Sequence, residues 1–237
     1  MLCEKPFTVN AREAEEVIQE ARQHKLFLME AVWNRYFPLM KKLYSLLDEG
    51  VIGEVRHVYA DFGFRMDVDP DAWVFDLKRG GGALLDVGMY PLNLASLLLG
   101  KPESVLSTAH LGETGVDEDA AIVLDYGAGK LAVCTTALRT QTPWEATLMG
   151  TEGIIRIHTP WWRPTKMTLT KPDWSSETFE IPFEGNGYNY EAAEVMRCLR
   201  GGRLESALMP LDETLAVMGT MDTIRQQWHL SYPADQR

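Results

Sequence analysis

The chain has 237 residues, enough to bury one large core, and its 46% hydrophobic and 24% charged content is that of a soluble globular protein. A net charge of −11 argues against nucleic acid as a partner and, less strongly, against an anionic membrane surface, since both attract basic proteins. Three widely spaced cysteines (Cys3, Cys134, Cys198) form neither a disulfide framework nor a zinc set, no basic-then-apolar leader opens the chain, and apolar runs such as 92–99 are too short to span a bilayer, so a cytoplasmic protein with free thiols is expected.

The first residues, Met1-Leu2 followed by Cys3-Glu4-Lys5-Pro6, read as the end of a strand closed by a charged turn. Residues 9–24 predict an amphipathic helix, with Asn10 as N-cap, Glu13 as its capping-box partner, and Ala14, Val17, Ile18 and Ala21 at helical spacing. Residues 26–31 are apolar enough for a buried strand, and a second helix is expected over 39–48, stopping at Gly50. This strand–helix–strand rhythm is that of a parallel α/β unit.

Beyond it the pattern changes. Strands are expected at 56–64, 104–111, 120–126, 130–138, 146–149, 154–158, 166–170 and 178–181, with hairpin turns at Gly127-Ala128-Gly129 and Gly150-Thr151-Glu152-Gly153. One helix, 88–99, interrupts them, and two more, 190–200 and 211–228, close the chain. The expected fold class is α+β: an open, mostly antiparallel sheet with flanking helices, preceded by the tail of an α/β domain. Such a sheet has a face left to cover, and a homodimer through that face is expected.

Several residues could carry chemistry. Lys5 follows a strand at the carboxyl edge of a parallel unit, where α/β proteins place ligands, and Pro6 restricts its backbone and could follow a cis bond. The alternative is a solvated surface lysine. Gly80-Gly81-Gly82 allows close backbone approach to a ligand, or is only a turn; it lacks the spacing of the dinucleotide fingerprint. Asp86 and Tyr90 are four apart and would share a helix face, although Pro91 could leave Asp86 just ahead of the helix as its cap. Tyr90, among Leu84, Leu85, Met89, Leu92 and Leu94, reads equally as a core tyrosine. The aromatic groups Trp33, Tyr36, Phe37 with Arg35, and Trp161-Trp162, suit either core or dimer packing or the wall of an apolar substrate site. The acidic run 67–71 reads as a solvated loop. His57, His110 and His158 lie on expected strands without matched partners, so no metal is assigned.

Taken in order, Glu4-Lys5-Pro6 with the helix after it, the stretch Met29-Glu30-Ala31-Val32-Trp33-Asn34-Arg35-Tyr36-Phe37-Pro38, and Gly81-Gly82-Ala83-Leu84-Leu85-Asp86-Val87-Gly88-Met89-Tyr90 resemble the glucose-fructose oxidoreductase / inositol dehydrogenase / rhizopine-catabolism family. Residues 110–117, 150–164 and Tyr190-Glu191-Ala192 extend the resemblance over nearly the whole chain, on the side of the dihydrodiol and D-xylose dehydrogenase branch. The resemblance implies that residues 1–31 are the remnant of a Rossmann domain and that 32–237 form a substrate-binding and dimerisation domain. It implies NADP as cofactor, with NAD possible, and a small polyol, sugar or dihydrodiol as substrate. It also implies catalytic roles for Lys5, Tyr90 and Asp86, cofactor contact through Glu4, Lys5 and Pro6, and a substrate wall of Trp33, Arg35, Phe62 and Trp162. The sequence departs from the family pattern in having no Gly-x-Gly-x-x-Gly, which leaves open a catalytically inactive homologue serving as a dimerisation or small-ligand-binding module. Hydride loss from a hydroxyl needs a base for its proton, and a lysine hydrogen-bonded to a tyrosine is expected to lower the phenol's pKa for that role.

Overall fold

The computed structural model describes residues 1–236. At the amino end β1 (Leu2–Glu4) and β2 (Met29–Ala31) pair in parallel, with α1 (Ala11–Gln23) as the crossover between them. The Asn10 side chain accepts the Glu13 N–H at 2.9 Å, and the Glu13 carboxylate reaches back to the N–H of Val9 at 3.4 Å. The buried stripe is Ala14, Ile18 and Ala21, and α1 packs on the last helix, α5 (Leu211–Gln227). The expected strand at 26–31 shortens to three residues because the backbone ahead of it bonds elsewhere: Leu26 N–H to the Ala21 carbonyl and Leu28 N–H to that of Leu204.

After α2 (Pro38–Asp48) comes an eight-stranded sheet of β3 (Val55–Gly63), β4 (Ser104–Leu111), β5 (Asp117–Asp125), β6 (Leu131–Ala137), β7 (Ala146–Gly150), β8 (Ile154–Ile157), β9 (Lys166–Thr170) and β10 (Ser176–Glu180). Their order across the sheet is β10-β9-β8-β7-β3-β6-β5-β4. Every neighbouring pair is antiparallel except β3 with β6, so the expected open, mostly antiparallel sheet is present with one parallel seam at its centre. The seam arises because a long connection through α3 (Met89–Leu99) separates β3 from the β4-β5-β6 meander, freeing the two strands to run the same way.

One face of this sheet carries Val58, Ala60, Ile122, Leu124, Ala132, Cys134, Leu148, Ile155 and Met167, all buried, with α3 laid over β3 and β6. By composition the stretch Leu77–Leu99 is long and apolar enough to cross a membrane, but it lies largely buried in this core. The other face has no cover among the described residues. There a single registered row crosses all eight strands: Leu106, Val123, Val133, Tyr59, Thr147, Arg156, Thr168 and Thr178.

The glycine triplet is used for packing inside the protein. A Cβ on Gly81 would meet the Val74 carbonyl at 2.6 Å, and one on Gly82, whose φ is +120°, would fall on the Asp117 carboxylate. Asp117 in turn accepts the Leu84 N–H at 2.7 Å, where a π-helical turn (Leu84–Gly88) opens and runs directly into α3. Asp86 therefore lies inside a widened helical turn, and its side chain does not cap α3 as the position of Pro91 had suggested.

Candidate active site

The end of β1, the π turn with the start of α3, and the one-turn 3-10 helix Trp33–Tyr36 after β2 bring their polar groups together. Lys5 extends from the end of β1, its bond to Pro6 in the cis form. Its ammonium donates to the Asp86 carboxylate at 3.0 Å and to the Asp86 backbone carbonyl at 2.7 Å. A lysine has three N–H donors, and the third has no protein partner among the described residues.

Asp86 and Tyr90 share one face of the helical segment, and Lys5 reaches both. Its nitrogen lies 5.1 Å from the centre of the Tyr90 ring, over the face of the ring and not at the hydroxyl. The hydroxyl oxygen instead accepts a hydrogen bond from Trp33 Nε1 at 2.8 Å. Tyr90 is 6% exposed, and burial raises its pKa far above that of free tyrosine; the Trp33 bond opposes the shift, and the charges of Asp86 and Glu4 add to it. The expectation that Lys5 lowers the phenol's pKa through a hydrogen bond is thus corrected: in this arrangement Tyr90 stays protonated throughout the neutral range.

Aromatic rings form the surroundings. Phe62, near the end of β3, stacks on Trp162 with ring centres 3.5 Å apart and lies 5.4 Å from the Tyr90 ring. Trp144 packs edge-on against both Phe62 and Trp162. Tyr188, the first residue of α4 (Tyr188–Arg200), stacks on Trp33 at 4.6 Å. Trp33, Phe62 and Trp162 thus lie in one aromatic cluster with Tyr90.

Arg35 does not. It is 2% exposed, and its guanidinium is held by protein groups. It pairs with Glu213 at 2.6 Å and donates to the Leu208 carbonyl and to both oxygens of Asn93. The structure does not bring Arg35 into the aromatic cluster; its bonds tie the short helix to α3 and α5. No group of three or more metal-binding side chains occurs among the described residues.

Comparison with known proteins shows the family. The sequence profile described as the GFO/IDH/MocA C-terminal domain matches residues 40–156. Trans-1,2-dihydrobenzene-1,2-diol dehydrogenase of Xenopus tropicalis is 37% identical over 243 residues, covering 98% of this chain and 72% of the relative. The human enzyme of the same name is 35% identical, covering 100% and 72%. The chain belongs to the GFO/IDH/MocA family of oxidoreductases. Within that family, a 3-ketoreductase from Actinomadura kijaniata, solved with NADP and TDP-benzene, superposes with a TM-score of 0.82 at 25% identity, covering 95% of this chain and 70% of that one. An aldose-aldose oxidoreductase from Caulobacter crescentus, complexed with glycerol, shares the fold with a TM-score of 0.82 at 23% identity, covering 95% and 68%.

Two members of this aromatic cluster escaped sequence reasoning. Trp144 sits in a loop with a left-handed φ of +65°, held by a bond from its indole N–H to the Gly63 carbonyl, and nothing in its neighbours signals this. Tyr188 had a legible signal. It follows Gly187, whose φ is +95° and whose missing Cβ leaves room for the Phe37 ring, so that α4 can start hard against the aromatic wall.

Proposed function

We propose that the protein is an NADP-dependent oxidoreductase of hydroxyl-bearing small molecules, a vicinal diol such as a dihydrodiol or a sugar, with Tyr90 as the acid/base group. One observation carries this reading. The Tyr90 oxygen accepts from Trp33, and its own O–H has no acceptor among the described residues, so the proton is left for a ligand oxygen. The donor set fits the nicotinamide end of the cofactor. Lys5 retains a third N–H at the carboxyl edge of a parallel strand pair, with Glu4 exposed beside it, and Glu4, Lys5 and Pro6 would hold that end. Bound there, NADP supplies the hydride acceptor for alcohol oxidation and, reduced, the donor for carbonyl reduction.

The chain's own residues do the rest. In the reductive direction the neutral phenol donates its proton to the carbonyl oxygen as that oxygen gains charge, and Trp33 stabilises the resulting phenolate by its indole N–H. Asp86 fixes the Lys5 ammonium through two bonds, holding its positive charge beside the ring. Phe62, Trp162 and Trp144 exclude water and offer flat apolar surface to a ring-shaped substrate. We further propose that two copies cover each other's open sheet faces, because the row centred on Val123, Val133 and Tyr59 offers apolar surface that the described residues leave partly exposed, with Leu106 71% exposed.

The test is turnover of a trans-dihydrodiol and of D-xylose by the purified protein supplied with NADP, followed as NADPH absorbance, with titration of NADPH against tryptophan fluorescence. Hydride transfer abolished by Tyr90→Phe supports the reading; absence of both NADPH binding and turnover ends it.

A further inference from the structure

Glu191 is a buried carboxyl beside the site that the acid/base scheme does not use. It lies in the first turn of α4, one turn beyond Tyr188, and it is 3% exposed. Its Oε2 has no hydrogen-bond partner among the described residues. Leaving a buried carboxylate oxygen unmatched costs free energy, so an oxygen kept in that condition is one that something else pairs with. Its placement shows where that partner comes from. Tyr188 stacks on Trp33, and Trp33 donates to the Tyr90 hydroxyl, so α4 begins at the reacting centre. The Glu4 carboxylate, exposed at the end of β1, is near enough for its charge to act on both Tyr90 and Glu191. Burial first, and then Glu4, raise the Glu191 carboxyl to about 7.

We propose that Glu191 is a hydroxyl acceptor of this site, taking a hydrogen bond from a hydroxyl of the bound ligand that is not the one undergoing oxidation. This rests on the oxidoreductase reading above and deepens it, since a vicinal diol and a ribose each present such a second hydroxyl. The inference identifies a specificity residue: a site built to satisfy a carboxylate with a hydroxyl discriminates against a ligand lacking it, because the carboxylate is then left unpaired.

The experiment compares the parent protein with Glu191→Leu, which removes the acceptor at similar volume, and Glu191→Gln, which keeps an acceptor oxygen. KM is measured for a trans-dihydrodiol and for the corresponding mono-alcohol, together with the NADPH dissociation constant from fluorescence and the Tm of each variant. The expected result is a loss of about 10- to 100-fold in Glu191→Leu, the scale of a hydrogen bond to a charged group, partly restored in Glu191→Gln, with Tm at or above the parent's. A loss confined to the diol and absent for the mono-alcohol assigns the hydroxyl to the substrate; a loss confined to NADPH assigns it to the cofactor ribose. Equal losses for diol and mono-alcohol with unchanged NADPH binding, or a lowered Tm accompanying every loss, would overturn the proposal. So would unchanged constants throughout. If the parent turns over no diol but Glu191→Leu still weakens NADPH binding, the oxidoreductase reading of substrate fails while the acceptor role stands.

Discussion

Trp33 donates its indole N–H to the hydroxyl oxygen of Tyr90 at 2.8 Å, while the Lys5 ammonium overlies the ring of the same tyrosine at 5.1 Å. The tyrosine is thereby held as a donor, its oxygen already serving as an acceptor. Replacing Tyr90 with Phe removes the proton and is expected to lower kcat at least about a hundredfold, the scale of acid/base catalysis, with KM little changed. Trp33→Phe keeps the aromatic stack but loses the donor, and its expected loss is smaller, about tenfold. Steady-state kinetics of the two variants checks both, and an unchanged kcat in Tyr90→Phe excludes the role.

The pH dependence of catalysis follows from the buried phenol. Its pKa is raised by burial, so it carries its proton at neutral pH. Oxidation of an alcohol requires the deprotonated form, and the population of that form grows as pH rises. Oxidative kcat is therefore expected to climb steadily from pH 7 to pH 10, while carbonyl reduction, which uses the protonated form, holds level over the same range. Paired pH profiles in the two directions measure this. A plateau in the oxidative direction already at pH 7 contradicts it.

Arg35 and Trp162 separate scaffold from substrate wall. Arg35→Met strands the Glu213 carboxylate and two acceptors on Asn93, a loss of about 3 kcal/mol on the scale of broken buried pairs, and Tm should drop accordingly. Material that stays folded should keep its KM. Trp162→Ala removes the ring stacked on Phe62 and should raise KM several-fold with a smaller change in Tm. Thermal melts and KM values on the two variants decide between the assignments; a KM effect from Arg35→Met without destabilisation would return that residue to the substrate wall.

Much of this was legible in the chain. The capping box at Asn10 and Glu13, the alternation in β4 and β5, and the glycine-bounded hairpins all describe local physics, and the elements form within a few residues of where the pattern places them. The shared face of Asp86 and Tyr90 was readable because the two are one helical turn apart, whereas joining Lys5 to them rested on the family resemblance. What was not legible depended on pairing between distant residues. The parallel seam between β3 and β6 depends on the path of a long connection, and the burial of Arg35 depends on Glu213, 178 positions away. The orientation of Lys5 over the tyrosine ring depends on its two bonds to Asp86, 81 positions away, in a π turn that no periodicity signals.

The open face of the sheet yields a prediction about assembly. Val123, Val133 and Tyr59 occupy adjacent positions of one row, and a charge at its centre would have to be buried in any face-to-face pairing. Val133→Lys is expected to convert a dimer to a monomer, whereas a change at Lys171, beyond the end of β9, should leave the dimer intact. Analytical ultracentrifugation of the parent and both variants checks it; a monomeric parent removes the face from consideration.

Three buried carboxyls set the stability of the fold against pH. Burial raises Glu30, Asp117 and Glu191 each to about 7, whereas in an unfolded chain such groups titrate near 4. Between those values the folded protein holds protons that the unfolded chain has released. Stability therefore falls as pH rises through this window and levels off above it. Asp235 works in the other direction. Burial opposes its ionisation, but bonds from Arg225, the Tyr232 N–H and Asn10 outweigh it and hold the group at about 2, so its contribution is present above pH 4 and is lost as pH falls toward 2. Tm is accordingly expected to peak near pH 5 and to decline toward pH 8. Asp117→Asn retains an acceptor for the Leu84 N–H while removing the buried charge, so it should match the parent at pH 5 and melt higher at pH 8. Calorimetric melts at pH 5, 6, 7 and 8 supply the measurement, and a parent curve that is flat across that range refutes the assignment of these three groups.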